Sequence, residues 1–176
     1  MTGILHEFPT PVVADGIVYY PSNYGTDSLY ALHAATGEIL WKYHTGYTDD
    51  AVTVSNGMVY TPSDSLCCID AYSGEKVWST ALAGPDGGTP IVSDGNVYAA
   101  LWVPFTRLTS LTCFDALTGT VVWNDTIPGR PACCMALHEN RLYLATFSPV
   151  SANGLYAIDA SNGDVIWCNT DSEDGY

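Results

Sequence analysis

The stretch AATGEILWKY, residues 34–43, places a glycine four residues before a tryptophan. The same spacing returns three times along the 176-residue chain. The related strings are AYSGEKVW from Ala71, ALTGTVVW from Ala116 and ASNGDVIW from Ala160. Because the four tryptophans are separated by 37, 45 and 44 residues, the pattern is typical of a repeat architecture.

Each copy of the pattern follows two further features. An apolar segment comes directly before it, and a pair of apolar runs joined by a turn signal comes earlier: VVADGIVYY, VTVSNGMVY, IVSDGNVYA and, more weakly, ALHENRLYL. Asp-Gly and Asn-Gly between apolar runs favour two-residue turns that hold neighbouring strands antiparallel. Each unit therefore predicts four short strands, which in the first copy are Pro11–Ala14, Ile17–Pro21, Leu29–His33 and Glu38–His44. We expect the Gly of the tryptophan string to form the same kind of turn between the last two strands.

The third predicted strand is apolar on both faces. The segments LYALHA, LCCIDA, LTCFDA and LYAIDA alternate large and small side chains, and neither set is polar enough to face water. Sheets stacked face to face around an axis bury both faces, as in a propeller with blades of about 40–45 residues. The sequence thus predicts an all-β propeller of four-stranded antiparallel blades, about four of them, in a single domain over residues 1–176.

The composition indicates a folded β protein and disfavours nucleic acid and membrane insertion. Hydrophobic residues make up 47% of the chain, with 12 Tyr, 5 Trp, 16 Gly and 10 Pro, as expected for many short strands and turns. The formal charge is −14, from 19 acidic against five basic residues. Because phosphate binding needs clustered Lys and Arg, nucleic acid is an unfavourable partner. No apolar run is long enough to predict insertion into a membrane.

The repeat resembles that of the pyrroloquinoline-quinone-like (PQQ-like) propellers, the family of quinoprotein dehydrogenases and of an outer-membrane assembly lipoprotein. The matching strings are LYALHAATGEILW, LCCIDAYSGEKVW, LTCFDALTGTVVW and LYAIDASNGDVIW, with their upstream DGxVY partners. The resemblance covers about residues 9–170 and implies blades at about 9–47, 48–84, 85–129 and 130–171. His33 replaces the aspartate of the other copies, and Asn140 replaces a glycine.

The resemblance also implies how the blades meet and how many there are. Each tryptophan is expected to stack on the next blade near its Gly turn, where the small residue opening the string makes room: Ala34, Ala71, Ala116 or Ala160. Rings of the family commonly have about eight blades, so four units amount to half a ring. Three arrangements stay open: four blades that close on themselves, two copies in one ring, or part of a longer chain. We favour an incomplete arc whose partner blades are missing or supplied in trans.

Six cysteines have no CxxC spacing, which disfavours a thiolate zinc site. Cys68 and Cys113 occupy the register of Ala31 and Ala157, so we expect them to be small buried residues. Cys133 and Cys134 resemble the vicinal pair that quinoprotein alcohol dehydrogenases place over their cofactor. The resemblance makes these two cysteines weak candidates for binding pyrroloquinoline quinone, although Met135-Ala136-Leu137 departs from the continuation found in those enzymes.

The remaining titratable residues predict no catalytic or metal-binding group. His6, His33, His44 and His138 lie in different units without ligand-like spacing. Asp70, Asp115 and Asp159 recur at one position of the repeat, which indicates hydrogen bonding in a turn rather than catalysis, because a catalytic base is needed only once. No hydrolase, zincin or phosphate-binding motif occurs.

The leading hypothesis is a non-catalytic propeller module that binds a protein partner or serves as an assembly scaffold, without a cofactor. Its partner would be another protein or further blades in trans, and a homodimer completing a ring is one form of this. The alternative is a fragment of a quinoprotein dehydrogenase that oxidises an alcohol or sugar with pyrroloquinoline quinone and Ca²⁺. No signal peptide is predicted at the start of this sequence, while the resemblance suggests a periplasmic or extracellular protein.

Overall fold

The computed structural model describes residues 10–22, 26–46, 50–63, 65–82, 86–147 and 154–170. All regular structure in these ranges is β, and no helix there could span a membrane. The seventeen strands are β1 Val12–Ala14, β2 Ile17–Ser22, β3 Ser28–His33, β4 Ile39–His44, β5 Thr53–Ser55, β6 Met58–Pro62, β7 Ser65–Asp70, β8 Lys76–Ala81, β9 Asp86–Gly87, β10 Ile91–Ser93, β11 Asn96–Val103, β12 Leu108–Asp115, β13 Val121–Pro128, β14 Arg130–His138, β15 Arg141–Phe147, β16 Gly154–Asp159 and β17 Val165–Thr170.

The strands form four antiparallel meanders, which we call the first to fourth blades. The first blade is β1–β4, the second is β5–β8, and the fourth is β14–β17. The third blade is β10–β13, with the two-residue strand β9 added beside β11. The propeller blades predicted from the repeat are therefore present, while the extra strand and the longer β11–β12 hairpin had no signal in the repeat.

Two-residue turns join the first and second strands of every blade. Their central residues all have positive φ: Asp15 and Gly16, Asn56 and Gly57, Asp94 and Gly95, Glu139 and Asn140. The weak signal ENR thus makes the same turn as Asp-Gly, because asparagine tolerates the left-handed region better than most residues. The substitution of Asn140 for glycine leaves the hairpin intact, with His138 paired to Arg141.

The connection between the third and fourth strands differs from the two-residue turn that we predicted. In the first blade β3 ends at His33 and β4 begins at Ile39, so five residues intervene. The amide of Gly37 donates to the carbonyl of His33 (2.8 Å), and the amide of His33 donates to the carbonyl of Glu38 (2.8 Å). The glycine takes positive φ inside this wider loop, and the register of the third and fourth strands shifts just beyond the loop in all four blades.

Three hydrophobic clusters lie between consecutive blades. One joins the first and second blades through residues such as Tyr19 and Ile69, and another joins the second and third through Leu66 and Phe114. The last joins the third and fourth blades. No such cluster joins the fourth blade to the first among the described residues, so the described part is an open arc and not a closed four-blade ring.

Candidate functional site

The contact between neighbouring blades is a docking corner, built in the same way three times. The indole N–H of Trp41 donates to the carbonyl of Ala71 in the next blade, at 3.0 Å. Trp78 donates to the carbonyl of Ala116 and Trp123 to that of Ala160, both also at 3.0 Å. The hydrogen bond satisfies the polar end of a half-buried indole. Each docking corner thus fixes one blade to the next by both packing and a directed bond.

The glycine of the next blade makes room for each indole. A Cβ added to Gly74 would lie 2.7 Å from Cδ2 of Trp41, and one added to Gly119 would lie 2.4 Å from Cε3 of Trp78. Gly163 stands in the same relation to Trp123, at 2.7 Å from Cε3. These glycines therefore have two reasons to be glycine: a positive φ, and the approach of a neighbouring ring.

A tyrosine on the second strand is a further part of the docking corner. Tyr19 lies beside Trp41 with ring centroids 5.9 Å apart, and its hydroxyl donates to the same Ala71 carbonyl at 3.1 Å. Tyr60 repeats this with Trp78 and Ala116. We assigned this tyrosine no role from the sequence, although its recurrence in the DGxVY string was a usable signal.

Small residues of the third strand lie between these two rings. Ala31 is opposite both Tyr19 and Trp41 in the strand register, and Cys68 is opposite both Tyr60 and Trp78. Cys68 and Cys113 are buried, as expected from their register with Ala31 and Ala157. Burial raises the pKa of each thiol to about 11, so both stay protonated near neutral pH.

The recurring aspartates organise the five-residue loops. Oδ1 of Asp115 accepts hydrogen bonds from the amides of Leu117 (3.0 Å) and Thr118 (2.8 Å) and from the Thr118 hydroxyl (2.8 Å). Asp70 accepts the same three kinds of bond from the amides of Tyr72 and Ser73 and from the Ser73 hydroxyl, and Asp159 accepts from the amide and hydroxyl of Ser161. These bonds lower the pKa of all three carboxyl groups, first through Ser73 for Asp70, Thr118 for Asp115 and Ser161 for Asp159. Their predicted role in turn hydrogen bonding is confirmed.

The two ends of the arc each hold one half of a docking corner. Trp167 of the fourth blade has no following blade among the described residues, and 42% of its surface is exposed. A Cβ added to Gly37 of the first blade would meet nothing within 4 Å. Ala34 is likewise exposed, whereas Ala71, Ala116 and Ala160 are buried. Four blades therefore do not close on themselves.

An open cleft of about 500 Å³ lies above the docking corner of Trp123, between the third and fourth blades. Turn residues line it, including Asp94, His138, Glu139, Asn140 and Ser161. The corresponding corner of the first two blades holds a larger side chain, because Tyr72 stands where the fourth blade has Ser161 and its hydroxyl donates to Asp15 at 3.2 Å. The cleft therefore lies at a junction where the fourth blade has a small residue at this loop position.

The predicted cofactor residues Cys133 and Cys134 lie within β14, where the pairing with β15 shifts between Pro131 and Met135. Their side chains are outside the described part of the structure, as is His6. Of the other histidines, His138 lies on the cleft and His33 replaces the loop aspartate, with Nδ1 3.3 Å from the Thr36 hydroxyl. The described residues bring none of the predicted candidates together into one group.

A calcium ion beside a quinone would need a cluster of oxygen ligands in the protein. Calcium takes six to eight oxygen ligands, largely from carboxylates and carbonyls. Within the described ranges, no three His, Cys, Asp or Glu side chains converge in a group that could hold a metal ion. The described side chains therefore offer no carboxylate cluster of the kind that this ion commonly uses.

Curated relatives of two kinds resemble parts of this chain. An alignment with "Outer membrane protein assembly factor BamB" of Salmonella typhimurium is 31% identical and covers 48% of this chain and 24% of that protein. One with "Alcohol dehydrogenase (quinone), dehydrogenase subunit" of Acetobacter aceti is 34% identical and covers 40% of this chain and 11% of that protein. Both alignments span only a small part of the relative.

The fold is shared with a solved structure of the second kind. The quinohemoprotein alcohol dehydrogenase ADHIIG of Pseudomonas putida HK5 superimposes with a TM-score of 0.76 at 21% identity, over 93% of this chain and 34% of that one. A family model described as "Outer membrane protein assembly factor BamB" matches residues 27–172. With most of its length matched in this way, the chain belongs to that family of β-propellers with PQQ-like repeats.

Proposed function

We propose that this chain is a non-catalytic propeller module that binds a protein partner at the cleft between its third and fourth blades. The role of an assembly scaffold is supported by the likeness to a protein named as an outer membrane protein assembly factor. The same likeness supports a location outside the cytoplasm, in the periplasm or beyond it. The single observation that carries the proposal is the cleft itself, which no side chain fills as Tyr72 does at the first junction.

The lining of the cleft favours contact with a protein surface. Asp94, Glu139, His138 and Ser161 present carboxylate, imidazole and hydroxyl groups, and His138 and Glu139 are 73% and 76% exposed. Small-molecule pockets are usually mostly apolar and bury most of their ligand. A partner protein could insert one polar or basic side chain among these groups and form hydrogen bonds with them. The carboxylates of Asp94 and Glu139 would strengthen the contact with a basic side chain by charge.

The test is site-specific photo-cross-linking in the native host. A photo-reactive residue at Ser161 should give one discrete protein adduct, which mass spectrometry identifies. The matched control is Ala35, which occupies the same position of the loop in the first blade. Replacing Asp94 and Glu139 by Arg should reduce the Ser161 adduct several-fold. Equal adducts at both positions, or none at Ser161, would contradict a partner at the cleft.

A second candidate function is a fragment of a quinoprotein dehydrogenase. It is supported by the vicinal cysteines in an irregular part of β14 and by the likeness to two alcohol dehydrogenases. Purified chain with added pyrroloquinoline quinone and Ca²⁺ is mixed with an alcohol and a redox dye. Dye reduction that is lost when Cys133 and Cys134 are both replaced by Ser would establish this function. We expect no dye reduction above that of the free cofactor.

A further inference from the structure

One face of the fourth blade, its open face, is covered by no described blade. It carries the same kinds of residue as the interfaces between blades, but here they are exposed. Leu155 is 43% exposed, whereas its counterparts Leu29, Leu66 and Leu111 are at most 1% exposed. Tyr143 lies beside Trp167 with centroids 6.2 Å apart, as at the filled corners. Tyr143 is only half-buried, while the equivalent tyrosines of the other blades are buried: Tyr19, Tyr60 and Tyr98. Within the described residues, this face is therefore a docking corner without its acceptor.

The open face of the first blade has the complementary features. Tyr20 is 38% exposed, and the residues at its register in the other blades, Thr61, Ala99 and Leu144, are at most 1% exposed. Val18 and Leu32 are half-buried, while their counterparts Val59, Val97, Leu142, Ile69, Phe114 and Ile158 are buried. No tryptophan from the described parts of the chain covers Ala34 and Gly37, so this face is an unfilled acceptor.

We propose that the chain binds a second copy of itself head to tail, with Trp167 of each copy in the Ala34–Gly37 loop of the other. The partner is a second copy because one chain carries both halves of the interface, at opposite ends of its arc. The contact would continue the interface that already recurs three times within the chain. Two copies arranged in this way cover all four open faces, as a head-to-tail contact does when its rotation closes a ring.

The contact residues themselves bring no like charges together. The residues named on the two open faces are uncharged, and the carboxylates of Asp15, Asp70, Asp94, Asp115 and Asp159 lie in turns at the blade edge. Lys42 is the cation beside the acceptor face, 5.1 Å from the ring centre of Tyr30. Its counterparts Ser79 and Asn124 remain exposed at filled interfaces. The Lys42 ammonium group can therefore stay in water after association.

The test is sedimentation velocity of the purified 176-residue chain over a wide range of concentration. We expect a reversible two-chain species. Trp167→Ala should remove the donor half and weaken association by at least about thirtyfold, as for an interfacial tryptophan anchor. Ala34→Arg should block the acceptor half and weaken association to a similar extent. Val77→Lys is the control, since Val77 is 50% exposed on an internal blade and should leave association unchanged.

Mixing the two variants distinguishes a contact between opposite faces of the arc from a contact between two identical faces. Neither variant alone has a complete pair of halves, but Trp167 of Ala34→Arg can enter the intact loop of Trp167→Ala. The mixture should therefore form a two-chain species that neither variant forms alone. A chain that stays monomeric at every concentration, open-ended growth, or a mixture that does not associate would overturn the proposal. The cleft lies at a different junction, so the cross-linking result is independent of this outcome.

Discussion

At the scale of single residues, each docking corner needs a tryptophan ring on one blade and, on the next blade, a glycine that leaves room for the ring. Trp78 can reach the Ala116 carbonyl only because Gly119 leaves the space that a Cβ would fill. Gly37 has the same backbone conformation, with φ of +73° against +70° for Gly119, but no described atom lies within 4 Å of a Cβ placed there. The two positions therefore separate the conformational effect of glycine from the steric one.

Replacing Gly119 by Ala should reduce the free energy of unfolding more than replacing Gly37 by Ala. Both variants place a side chain at positive φ, which costs about 1–2 kcal/mol. Gly119→Ala also forces Trp78 to move, which adds about 1–3 kcal/mol. Urea unfolding followed by far-ultraviolet circular dichroism, at a concentration where the chain is monomeric, measures both. Equal losses would mean that the indole contact contributes no steric requirement.

Replacement by valine at two buried threonines should have opposite effects on the free energy of unfolding. Thr61 Oγ1 is buried and has no hydrogen-bond partner in the described structure, whereas Thr109 Oγ1 donates to the Gly129 carbonyl at 2.8 Å. Thr61→Val should increase the free energy of unfolding by about 1 kcal/mol, because it removes an unsatisfied hydroxyl. Thr109→Val should decrease it by about 1–3 kcal/mol, because the carbonyl loses its partner. Destabilisation by both would indicate that Thr61 has a partner after all.

At the scale of elements, the loop between the third and fourth strands sets the position of each docking glycine. An aspartate carboxylate accepts from two amides and a hydroxyl in the loops of Asp70 and Asp115, and from one amide and one hydroxyl in that of Asp159. His33 has one side-chain contact, with Thr36. The first loop nevertheless has the same backbone bonds, including Gly37 to His33. The backbone therefore selects the loop, and the aspartate strengthens it.

Replacing His33 by Asp should stabilise the first loop. The new carboxylate would accept from the amides of Ala35 and Thr36, which would contribute about 0.5–1 kcal/mol at neutral pH. The hydrogen bonds that lower the pKa of Asp70, Asp115 and Asp159 should do the same here.

The stabilisation by His33→Asp should be lost at acidic pH, because the hydrogen bonds lower the pKa of the carboxyl group in the folded state. A carboxyl group whose pKa is lower in the folded state stabilises the fold above its unfolded value of about 3.9, and the effect is lost as the pH falls through the folded value. The difference in unfolding free energy between His33→Asp and the natural chain should thus shrink from pH 7 to pH 3. A gain that is constant over this range would contradict stabilisation by the ionised carboxylate.

At the scale of the whole molecule, the arc is a linear array in which blades contact their sequence neighbours. Counted over the residues that the structure describes, the second and third blades have two interfaces each, and the first and fourth have one each. In repeat proteins, stability is approximately the sum of unit and neighbour terms. The end blades should therefore open more readily than the internal ones.

Hydrogen exchange measured on the monomeric chain tests this order. Amides of β7 and β12 in the internal blades should exchange about tenfold or more slowly than those of β3 and β16, since burial of even one large side chain contributes about 1.5–3 kcal/mol. Mass spectrometry of proteolytic fragments, with rates corrected for intrinsic exchange, gives the comparison. Uniform protection of all four strands would mean that the arc opens as one cooperative unit.

Much of this protein follows from its sequence alone, because a propeller blade is a local structure. The spacing of glycine and tryptophan, the Asp-Gly turns and the alternation in LYALHA predict the strands, the blades and the buried Cys68 and Cys113. These depend on side-chain period and turn conformation, which neighbours along the chain determine.

Only the tertiary structure decided which groups meet between blades. The Ala71 carbonyl accepts hydrogen bonds from both Trp41 and Tyr19, and the small Ser161 leaves the cleft open. Both features depend on distances between sheets, which no single repeat determines. The same holds for the open ends: Trp167 and Gly37 match their counterparts in sequence but differ in what lies next to them. Sequence determines the two halves of a contact, and three-dimensional packing determines which halves are filled.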